Sequence, residues 1–358
     1  MSINIPKACR AAVVKNEGAG FSLAVENVQV PEPGLNQILV RMSTSGVCYS
    51  DLHYMLNDTP APPMSKFGVA SAGHEGCGVV VKLGPSVRNL EVGSRVGIKP
   101  IWTTCGSCDH CWGDMETHCA KKVNTGLGVA GTFQHYMVAD ASHVIPIPEG
   151  VPDDLAATLM CSAATAYRSV KSARLPPGSE VVVLGGGGGV GIQVIQVAKI
   201  FGFRTIAVDV GDSKRDLALE MGADGFVDIE TVADPVEEAA RLTNGGAHGV
   251  FVTAPPAYKN ALDYIGSRVG GVVMCIGLPA VGSGHHIMAN PGLLILKHLS
   301  IKGSLVGTRE DTNAVLKYAQ RGLIKPFSQS IRLDELPDVM QAMKEGKQMK
   351  KLVIDFNL

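Results

Sequence analysis

The sequence lacks a long apolar segment and lacks any run of like charge. No window of its 358 residues approaches the roughly 20 apolar residues that a membrane-spanning helix needs. Lys and Arg total 32 against 33 Asp and Glu, which gives a formal net charge of −1. Proteins that bind nucleic acid or anionic membranes usually show a basic patch or stripe. We therefore expect neither nucleic acid nor a membrane as a partner.

Targeting signals are also missing from the sequence. The first residues, MSINIPKACRAAVVKNEG, contain no apolar stretch of the kind found in secretory signals. The last residues, VIDFNL, match no common targeting motif. We therefore expect a cytoplasmic protein. Because the chain is longer than one ordinary hydrophobic core requires, we also expect two domains.

Four of the nine cysteines lie within one short stretch, CGSCDHCWGDMETHC, at residues 105–119. In a reducing compartment, closely spaced thiols bind a metal more often than they form disulfides. Four soft ligands on a loop rich in Gly and Asp suit a structural zinc ion. Its ligands would be Cys105, Cys108, Cys111 and Cys119. Disulfides and an iron–sulfur cluster, which also uses four thiolates, are the alternatives.

The pattern of apolar residues changes after about residue 163. Before it, short β-type runs such as ILVRMSTSGV and GCGVVVKLG alternate with Gly and Pro, which predicts a β-rich domain with many loops. From Glu180, apolar strands alternate with helical stretches, which predicts a parallel sheet with crossover helices. The C-terminal part reads as two helices and a final strand.

The run VVVLGGGGGVGIQVIQVAK predicts a dinucleotide-binding turn. A strand leads into glycines and a helix follows at once, and Gly186, Gly188 and Gly191 fit G-x-G-x-x-G. Asp209 ends the next strand, where a carboxylate accepts hydrogen bonds from the adenosine ribose and repels a 2′-phosphate. We therefore predict NAD rather than NADP. The alternatives are a flexible glycine turn and, for Asp209, a strand-end cap.

Three separate stretches supply ligands for a second metal ion. SGVCYSDLHYM carries Cys48, AGHEGCGVVV carries His74 beside Glu75, and TLMCSAATAY carries Cys161. A catalytic zinc site needs three protein ligands and one open position. Two thiolates and an imidazole meet that requirement, although each stretch taken alone would be an ordinary turn.

These motifs together resemble the zinc-containing medium-chain alcohol dehydrogenases over essentially the full length of the chain. GVCYSDLH, GHEGCGVV, CGSCDHCWGDMETHC and KGSLVGTREDT are most similar to the yeast-type branch. The resemblance implies an α/β protein with a GroES-like, β-rich catalytic domain and a Rossmann NAD-binding domain with a doubly wound parallel sheet. It places the first part of the catalytic domain at 1–163, the Rossmann domain at 164–299 and the return to the catalytic domain at 300–358. It also implies a homo-oligomer, with a tetramer favoured over a dimer.

The resemblance implies a role for each residue around the open metal site. The three ligands of the second metal ion would hold the catalytic zinc, and Glu75 would approach it during ligand exchange. Asp51 would orient the histidine ligand, as outer carboxylates do in metal sites. Ser50 would take the proton of the alcohol, and His53 would pass that proton to solvent.

Four further positions match cofactor contacts of the family. Thr165 and Val190 would border the nicotinamide, Lys214 would lie at the adenosine ribose, and Lys351 would contact the pyrophosphate. Tyr49 departs from the family, because it stands where a basic residue usually faces the pyrophosphate. A phenol donates one hydrogen bond and carries no charge.

A second departure concerns the size of the substrate. Yeast-type enzymes that favour ethanol carry large aromatic side chains at two positions. The corresponding residues in this sequence are Pro100 and Thr59, which are much smaller. Trp102, two residues after Pro100, is large enough to refill part of that space. The Pro-rich loop from Asn57 to Gly73 is longer than in yeast-type enzymes and is expected at the substrate entrance.

The expected function is a zinc-dependent oxidoreductase with two zinc ions per chain. It would transfer hydride between NAD(H) and a primary alcohol or aldehyde, or a ketone, bulkier than ethanol. One alternative is a pathway-specific reductase of a conjugated or elaborate metabolite, although most such enzymes of the superfamily lack zinc. Another is a non-catalytic dinucleotide-binding protein, which would be expected to have lost ligands. The intact ligand set favours the dehydrogenase.

Overall fold

The computed structural model describes residues 4–347 and 350–358. Within these ranges, the strands in chain order are β1 (Ala8–Asn16), β2 (Ser22–Gln29), β3 (Gln37–Gly46), β4 (Glu75–Leu83), β5 (Arg95–Ile98), β6 (Ile101–Thr103), β7 (Val123–Asn124), β8 (Tyr136–Asp140), β9 (Ile145–Pro146), β10 (Glu180–Leu184), β11 (Arg204–Asp209), β12 (Gly225–Asp228), β13 (Gly249–Val252), β14 (Val272–Cys275), β15 (Ser300–Gly303), β16 (Gln329–Ile331) and β17 (Leu352–Asp355). The α-helices are α1 (Tyr49–Leu56), α2 (Asp109–Trp112), α3 (Asp153–Thr158), α4 (Ala164–Ala173), α5 (Gly189–Ile200), α6 (Asp212–Glu220), α7 (Pro235–Leu242), α8 (Pro291–Lys297), α9 (Arg309–Gln320) and α10 (Leu336–Lys344).

The chain divides into two compact units. The first comprises the chain up to Cys161 together with Thr308–Arg321 and Pro326–Leu358, and the second comprises Ser162–Gly307 together with Gly322–Lys325. None of the helices in the described ranges combines the length and the apolar composition needed to cross a bilayer.

The first unit is built on a seven-stranded sheet. Its strand order is β16-β17-β3-β4-β5-β9, and β8 also pairs with β3. All pairs in this sheet are antiparallel except β16 with β17. A separate core of this unit includes Leu52 and Met55 of α1 and Leu336 and Met340 of α10, all fully buried. The β-rich domain predicted from the sequence is confirmed, and its core holds α1 in place.

The second unit is built on a six-stranded parallel sheet of order β12-β11-β10-β13-β14-β15. When the six strands are numbered in chain order from β10, this order is 3-2-1-4-5-6, which is the doubly wound arrangement that binds dinucleotides. The continuous apolar run of β10 is buried from Val181 to Leu184, as expected for a parallel strand covered on both faces. The predicted parallel sheet is therefore confirmed.

The junctions between the two units differ from the domain boundaries that were assigned from the sequence. The changes come at 161/162 and 307/308 rather than at 163/164 and 299/300. The second difference arises because β15 pairs with β14 as the sixth strand of the parallel sheet. Ser300–Gly303 therefore extends the sheet of the second unit, and the chain returns to the first unit only at Thr308.

The returning chain is anchored to the four-cysteine loop. Arg309, the first residue of α9, donates from Nη2 to Oε2 of Glu116 at 2.7 Å, and its backbone N–H donates to Oε1 at 2.7 Å. The Thr308 hydroxyl also lies 3.2 Å from Oδ1 of Asp114. Burial opposes ionisation of Glu116, but the hydrogen bonds from Arg309 outweigh it and hold the pKa of Glu116 below its usual value.

We expect Arg309→Met to lower the free energy of unfolding by about 2 kcal/mol near neutral pH, because it leaves a largely buried carboxylate without its cation. The folded-state pKa of Glu116 lies below the unfolded-state value. The stabilisation that Arg309 gives to the ionised carboxylate is therefore complete only above the usual glutamate pKa. The difference from the unaltered protein should therefore shrink as the pH falls through the lowered pKa of Glu116. Urea unfolding of both proteins at several pH values measures this difference in the free energy of unfolding.

Arg215→Met is the control for this experiment. Its partners Asp212 and Asp216 are exposed, and exposed pairs contribute about 0–1 kcal/mol. An Arg309→Met protein no less stable than the Arg215→Met protein would contradict the anchoring role.

Candidate metal centres and cofactor site

The four cysteines of the 105–119 loop come together around one point. Their sulfur atoms all lie within 4.8 Å of one another. The Sγ–Sγ distances are 3.6 Å for Cys108–Cys111, 3.6 Å for Cys105–Cys119 and 3.9 Å for Cys105–Cys111. A disulfide would need about 2.05 Å, whereas four sulfurs each about 2.3 Å from a tetrahedral zinc ion lie about 3.8 Å apart. The donor set therefore fits zinc and does not fit disulfides.

A second cluster forms from three distant parts of the first unit. One ligand atom each from Cys48, His74, Glu75 and Cys161 lies within 4.8 Å of the others. Cys48 immediately precedes α1, and His74 immediately precedes β4. Cys161 lies in a π-helical turn over Leu159–Ala163, a local widening of the helix that is frequent at functional sites. The structure therefore assembles all three ligands predicted for the open site.

Asp51 connects the elements that carry two of these ligands. Its Oδ1 accepts a hydrogen bond from Nδ1 of His74 at 2.7 Å and from the backbone N–H of Gly73 at 3.1 Å. Its Oδ2 accepts from the backbone N–H of Cys48 at 3.1 Å. The carboxylate is completely buried. With Nδ1 occupied in this way, Nε2 is the histidine nitrogen that remains for a metal.

The side chains of the cluster shift one another's pKa. A hydrogen bond from the Cys161 thiol lowers the pKa of Cys48 well below that of a free thiol, with a further contribution from the charge of His74 and against the effect of burial. Burial alone would lower the pKa of His74, but the charges of Asp51 and Cys48 reverse this and raise it. At Cys48 the thiolate, which is the form that binds zinc, is therefore favoured. The hydrogen bond to Cys48 and burial raise the pKa of Cys161, so a metal that bound here would displace the protons of Cys161 and His74.

Glu75 lies beside the three ligands and is only partly satisfied. Its Oε2 accepts from Nζ of Lys351 at 2.6 Å, whereas its Oε1 is buried without a hydrogen-bond partner among the described residues. Gly46 leaves the room for this carboxylate, because a Cβ there would overlap Oε2. A buried carboxylate oxygen without a partner next to two thiols and an imidazole fits a metal site.

The contact of Lys351 differs from the one expected from the sequence. The resemblance assigned this residue to the cofactor pyrophosphate. In the structure its ammonium is buried and lies on Glu75, and it also donates to the carbonyl oxygen of Val47 at 3.0 Å. An ammonium that is buried against a carboxylate is already neutralised, so Lys351 belongs to the surroundings of the metal cluster.

The two residues assigned to proton transfer both lie on α1. Ser50, in the first turn, is half-buried. His53 is buried, and its Nδ1 lies 2.6 Å from Oδ1 of Asp58. Neither Asp58 nor the contact between Glu75 and Lys351 was predicted from the sequence. Asp58 follows His53 by five residues just beyond the helix, and that spacing was the available signal.

The glycine run forms a tight turn between β10 and α5 in the second unit. A Cβ at Gly191 would overlap the carbonyl oxygen of Gly185, and one at Gly186 would lie 2.7 Å from the Cβ of Ala207. Gly188 immediately precedes α5, so the helix N-terminus opens directly from the turn. This backbone leaves a surface free of side chains, on which a pyrophosphate can approach the N–H groups of the helix.

Asp209 lies at the carboxyl end of β11, beside the glycine turn. Its Oδ2 accepts from the backbone N–H of Gly187 at 2.9 Å, and its Oδ1 accepts from Nζ of Lys214 at 2.7 Å. The structure thus brings together the two residues assigned to the adenosine ribose. Thr165, in α4, is buried, and Val190, in the first turn of α5, is half-buried.

Trp102 packs in a surface cavity and is held by a hydrogen bond. Its indole N–H donates to the carbonyl oxygen of Val138 at 3.3 Å. The side chain lines a surface cavity of about 430 Å³ together with Val13, Val28 and Val129. The described residues that line this cavity include none of the metal-cluster ligands. Trp102 therefore packs against β8.

We expect Cys108→Ser and Cys161→Ala each to remove one zinc ion per chain, because each deletes one ligand from a different cluster. Cys108→Ser should also lower the melting temperature, since structural zinc contributes folding free energy. Metal analysis by mass spectrometry and thermal unfolding measure both effects. A Cys108→Ser protein with full zinc content and an unchanged melting temperature would exclude the four-thiolate site.

Two protein families match the chain. The alcohol dehydrogenase GroES-like domain matches residues 34–149, and the zinc-binding dehydrogenase family matches residues 189–321. Among curated relatives, the alcohol dehydrogenase of Schizosaccharomyces pombe is 39% identical over 99% of this chain and 100% of its own length. Alcohol dehydrogenase 2 of Caenorhabditis elegans is 37% identical over 100% and 99%.

Solved structures agree with these matches. Acetophenone reductase from Geotrichum candidum, determined in complex with NAD, is 26% identical with a TM-score of 0.82 over 99% of this chain and 98% of its own. The alcohol dehydrogenase of Aeropyrum pernix is 27% identical with a TM-score of 0.84 over 97% and 99%. Taken with the two zinc-type clusters and the dinucleotide turn, these similarities show that the chain belongs to the zinc-containing, NAD-dependent medium-chain alcohol dehydrogenases.

Proposed function

We propose that reversible alcohol–carbonyl redox takes place at the cluster of Cys48, His74 and Cys161. The observation that carries this proposal is the assembly of two thiols and one imidazole in a buried cluster, with Asp51 orienting the imidazole. Three ligands leave one coordination position for the oxygen of the substrate. The loop cysteines supply four ligands, so the zinc that they would hold is structural.

The chemistry that requires a metal and a cofactor is limited to two functions. When bound, zinc acts as a Lewis acid on the substrate oxygen, and NAD(H) accepts or delivers the hydride. The side chains of this protein hold these groups and move the proton. Ser50 takes the proton of the hydroxyl group, and His53 transfers it to solvent. Glu75, with one carboxylate oxygen unpaired, is placed to exchange with a ligand of the metal.

The second unit supplies the cofactor site in this proposal. The turn through Gly186, Gly188 and Gly191 receives the pyrophosphate, and Asp209 with Lys214 receives the adenosine ribose. Thr165 and Val190 border the nicotinamide. The functional division thus follows the two compact units, with the metal sites in the first unit and the cofactor site in the second.

We also propose that the protein works as a homo-oligomer, a tetramer or a dimer, in a reducing compartment such as the cytoplasm. None of the nine cysteines forms a disulfide, which suits that compartment. Strand β15 is the edge of its sheet, and Met288, Ile295 and Leu296 nearby in the chain are 68–84% exposed. Exposed apolar patches beside open sheet edges are typical of interfaces.

Leu296→Asp should lower the sedimentation coefficient to that of a smaller species, because it places a charge in the proposed interface. An unchanged coefficient would contradict this interface.

The cofactor preference follows from the pair formed by Asp209 and Lys214. With the carboxylate present, a 2′-phosphate meets a like charge, so we expect kcat/KM to favour NAD over NADP by about tenfold, or about 1.4 kcal/mol. Asp209→Gly removes the charge and frees the Lys214 ammonium for a phosphate, so the ratio should fall towards or below one. Asp212→Asn, which changes an exposed carboxylate nearby in the chain, should keep the ratio. Equal use of NAD and NADP by the unaltered protein would contradict the role of Asp209.

The substrate proposal rests on the two small side chains at Pro100 and Thr59. Pro100 is buried and Thr59 is half-buried, and both have much less volume than the aromatic side chains of ethanol-preferring enzymes. The hydrogen bond that holds Trp102 on Val138 supports a pocket in which Trp102 does not refill that volume. Each methylene of a larger substrate buried in such a space contributes about 0.8 kcal/mol, or a factor of about 2–4 in kcat/KM.

We therefore expect ethanol to be a poor substrate and branched or aromatic primary alcohols and aldehydes to be better ones. Pro100→Trp should reduce activity with an aryl alcohol more than with ethanol. Pro100→Ala separates the loss of proline from the added bulk and should keep the original preference. The measurement is kcat/KM along a series from ethanol to an aryl alcohol. An optimum at ethanol in the unaltered protein would refute the substrate proposal and leave the assignment of the reaction intact.

A further inference from the structure

A buried lysine precedes Pro100 in the short segment between β5 and β6. Lys99 is 3% exposed. Its ammonium donates to the hydroxyl oxygen of Thr312 and, at 3.4 Å, to the carbonyl oxygen of Thr308. Both acceptors lie at the start of α9. The side chain of Lys99 therefore links the segment that carries Pro100 to this helix.

The start of α9 is itself held in place. The Thr308 hydroxyl accepts from the backbone N–H of Asp311 at 3.2 Å, and the Asp311 carboxylate accepts from the backbone N–H of Thr308 at 2.9 Å. This reciprocal pair is a capping box, which satisfies donors in the first turn of a helix. Arg309 also binds Glu116. The ammonium of Lys99 therefore meets a well-fixed part of the first unit.

The backbone of the same segment is held from another side. The carbonyl oxygen of Lys99 accepts from the Thr125 hydroxyl at 2.6 Å, and the carbonyl oxygen of Pro100 accepts from the backbone N–H of Thr125 at 2.9 Å. Thr125 is completely buried. Because proline has no backbone N–H to donate, Pro100 can be anchored only through its carbonyl and its neighbours. Lys99 is the neighbour that adds a side-chain anchor.

An ammonium is a costly choice for this position. Burial lowers the pKa of Lys99 to about 8, although the negative charges of Cys161, Glu116 and Asp311 oppose this effect. Methionine, which is unbranched and of similar length, would occupy such a space without removing a charge from water. Departures of this kind from apolar packing are expected at functional sites. The hydrogen bonds of Lys99 therefore point to a role beyond stability.

We propose that Lys99 is a positioning residue for substrate selection: it holds Pro100 in place as a wall of the substrate pocket. The inference rests on the place of Pro100 in the proposed function. Ethanol is too small to fill the space beside Pro100, so its binding does not depend on a fixed wall. A larger alcohol packs against Pro100, and its binding weakens when that wall can move.

The test compares Lys99→Met, Thr312→Val and the double variant on ethanol and benzyl alcohol. We expect Lys99→Met to lower the ratio of kcat/KM for benzyl alcohol to that for ethanol about fivefold, because a loosened wall loses one or two methylene contacts, each a factor of about 2–4. The change should appear mainly as a higher KM for benzyl alcohol, since the wall does not touch the reacting atoms. Both substrates are measured on the same preparation, so the ratio does not depend on the fraction of folded protein.

Thr312→Val removes the hydroxyl that Lys99 binds and keeps the shape of the side chain, so it should shift the ratio in the same direction. The double variant should shift the ratio no further than Lys99→Met, because both substitutions break one link. Shifts that multiply in the double variant would show that Lys99 acts without Thr312 and would refute the proposed link.

Lys344→Met is the matched control. Its ammonium also donates to a backbone carbonyl oxygen, that of Ala19 at 2.5 Å, but at the exposed end of α10. It should leave the ratio unchanged. A shift with Pro100→Trp but none with Lys99→Met would overturn this inference alone. If Pro100→Trp itself leaves the ratio unchanged, Pro100 does not border the substrate, and the substrate proposal falls together with this inference.

Discussion

A single buried carboxylate determines the geometry of the open metal cluster. Asp51 accepts hydrogen bonds from the backbone of Cys48, the backbone of Gly73 and the ring of His74. These donors belong to segments that are separated by more than twenty positions in the sequence. Because the carboxylate is completely buried, each unmade hydrogen bond would cost about 1–3 kcal/mol. The two ligands are therefore brought together by the requirement to satisfy Asp51, before any metal contributes its own binding energy.

Ordinary spacing rules identified the features that depend on local sequence. The four-cysteine loop, the glycine turn and the buried strand β10 each lie within one continuous stretch, and each was predicted with its residues. Cys161 and His74 were harder, because nothing in their own stretches indicates a metal. They were selected because, with Cys48, they supply two thiolates and an imidazole. The resemblance to a family assigned the same three residues, and the structure places their ligand atoms together.

Contacts between residues that are far apart in the sequence were not predictable in the same way. The position of the Lys351 ammonium depends on the pairing of β17 with β3, which brings it to Glu75 across 276 positions of sequence. The junction placed at 299/300 differs from that of the compact unit for a related reason. Ser300–Gly303 is short and alternates apolar with polar residues, so its sequence does not distinguish an edge strand from a strand of the other unit.

Cys161 is the last residue of the first stretch of the first unit, and this position bears on how such proteins can be recombined. Every proposed zinc ligand precedes residue 162, whereas the glycine turn and Asp209 lie entirely within Ser162–Gly307. A block exchange of Ser162–Gly307 between relatives would therefore transfer cofactor recognition as one module and leave both ligand sets in their original context. The same crossover placed a few residues earlier would separate Cys161 from the sheet and helices that hold its partners.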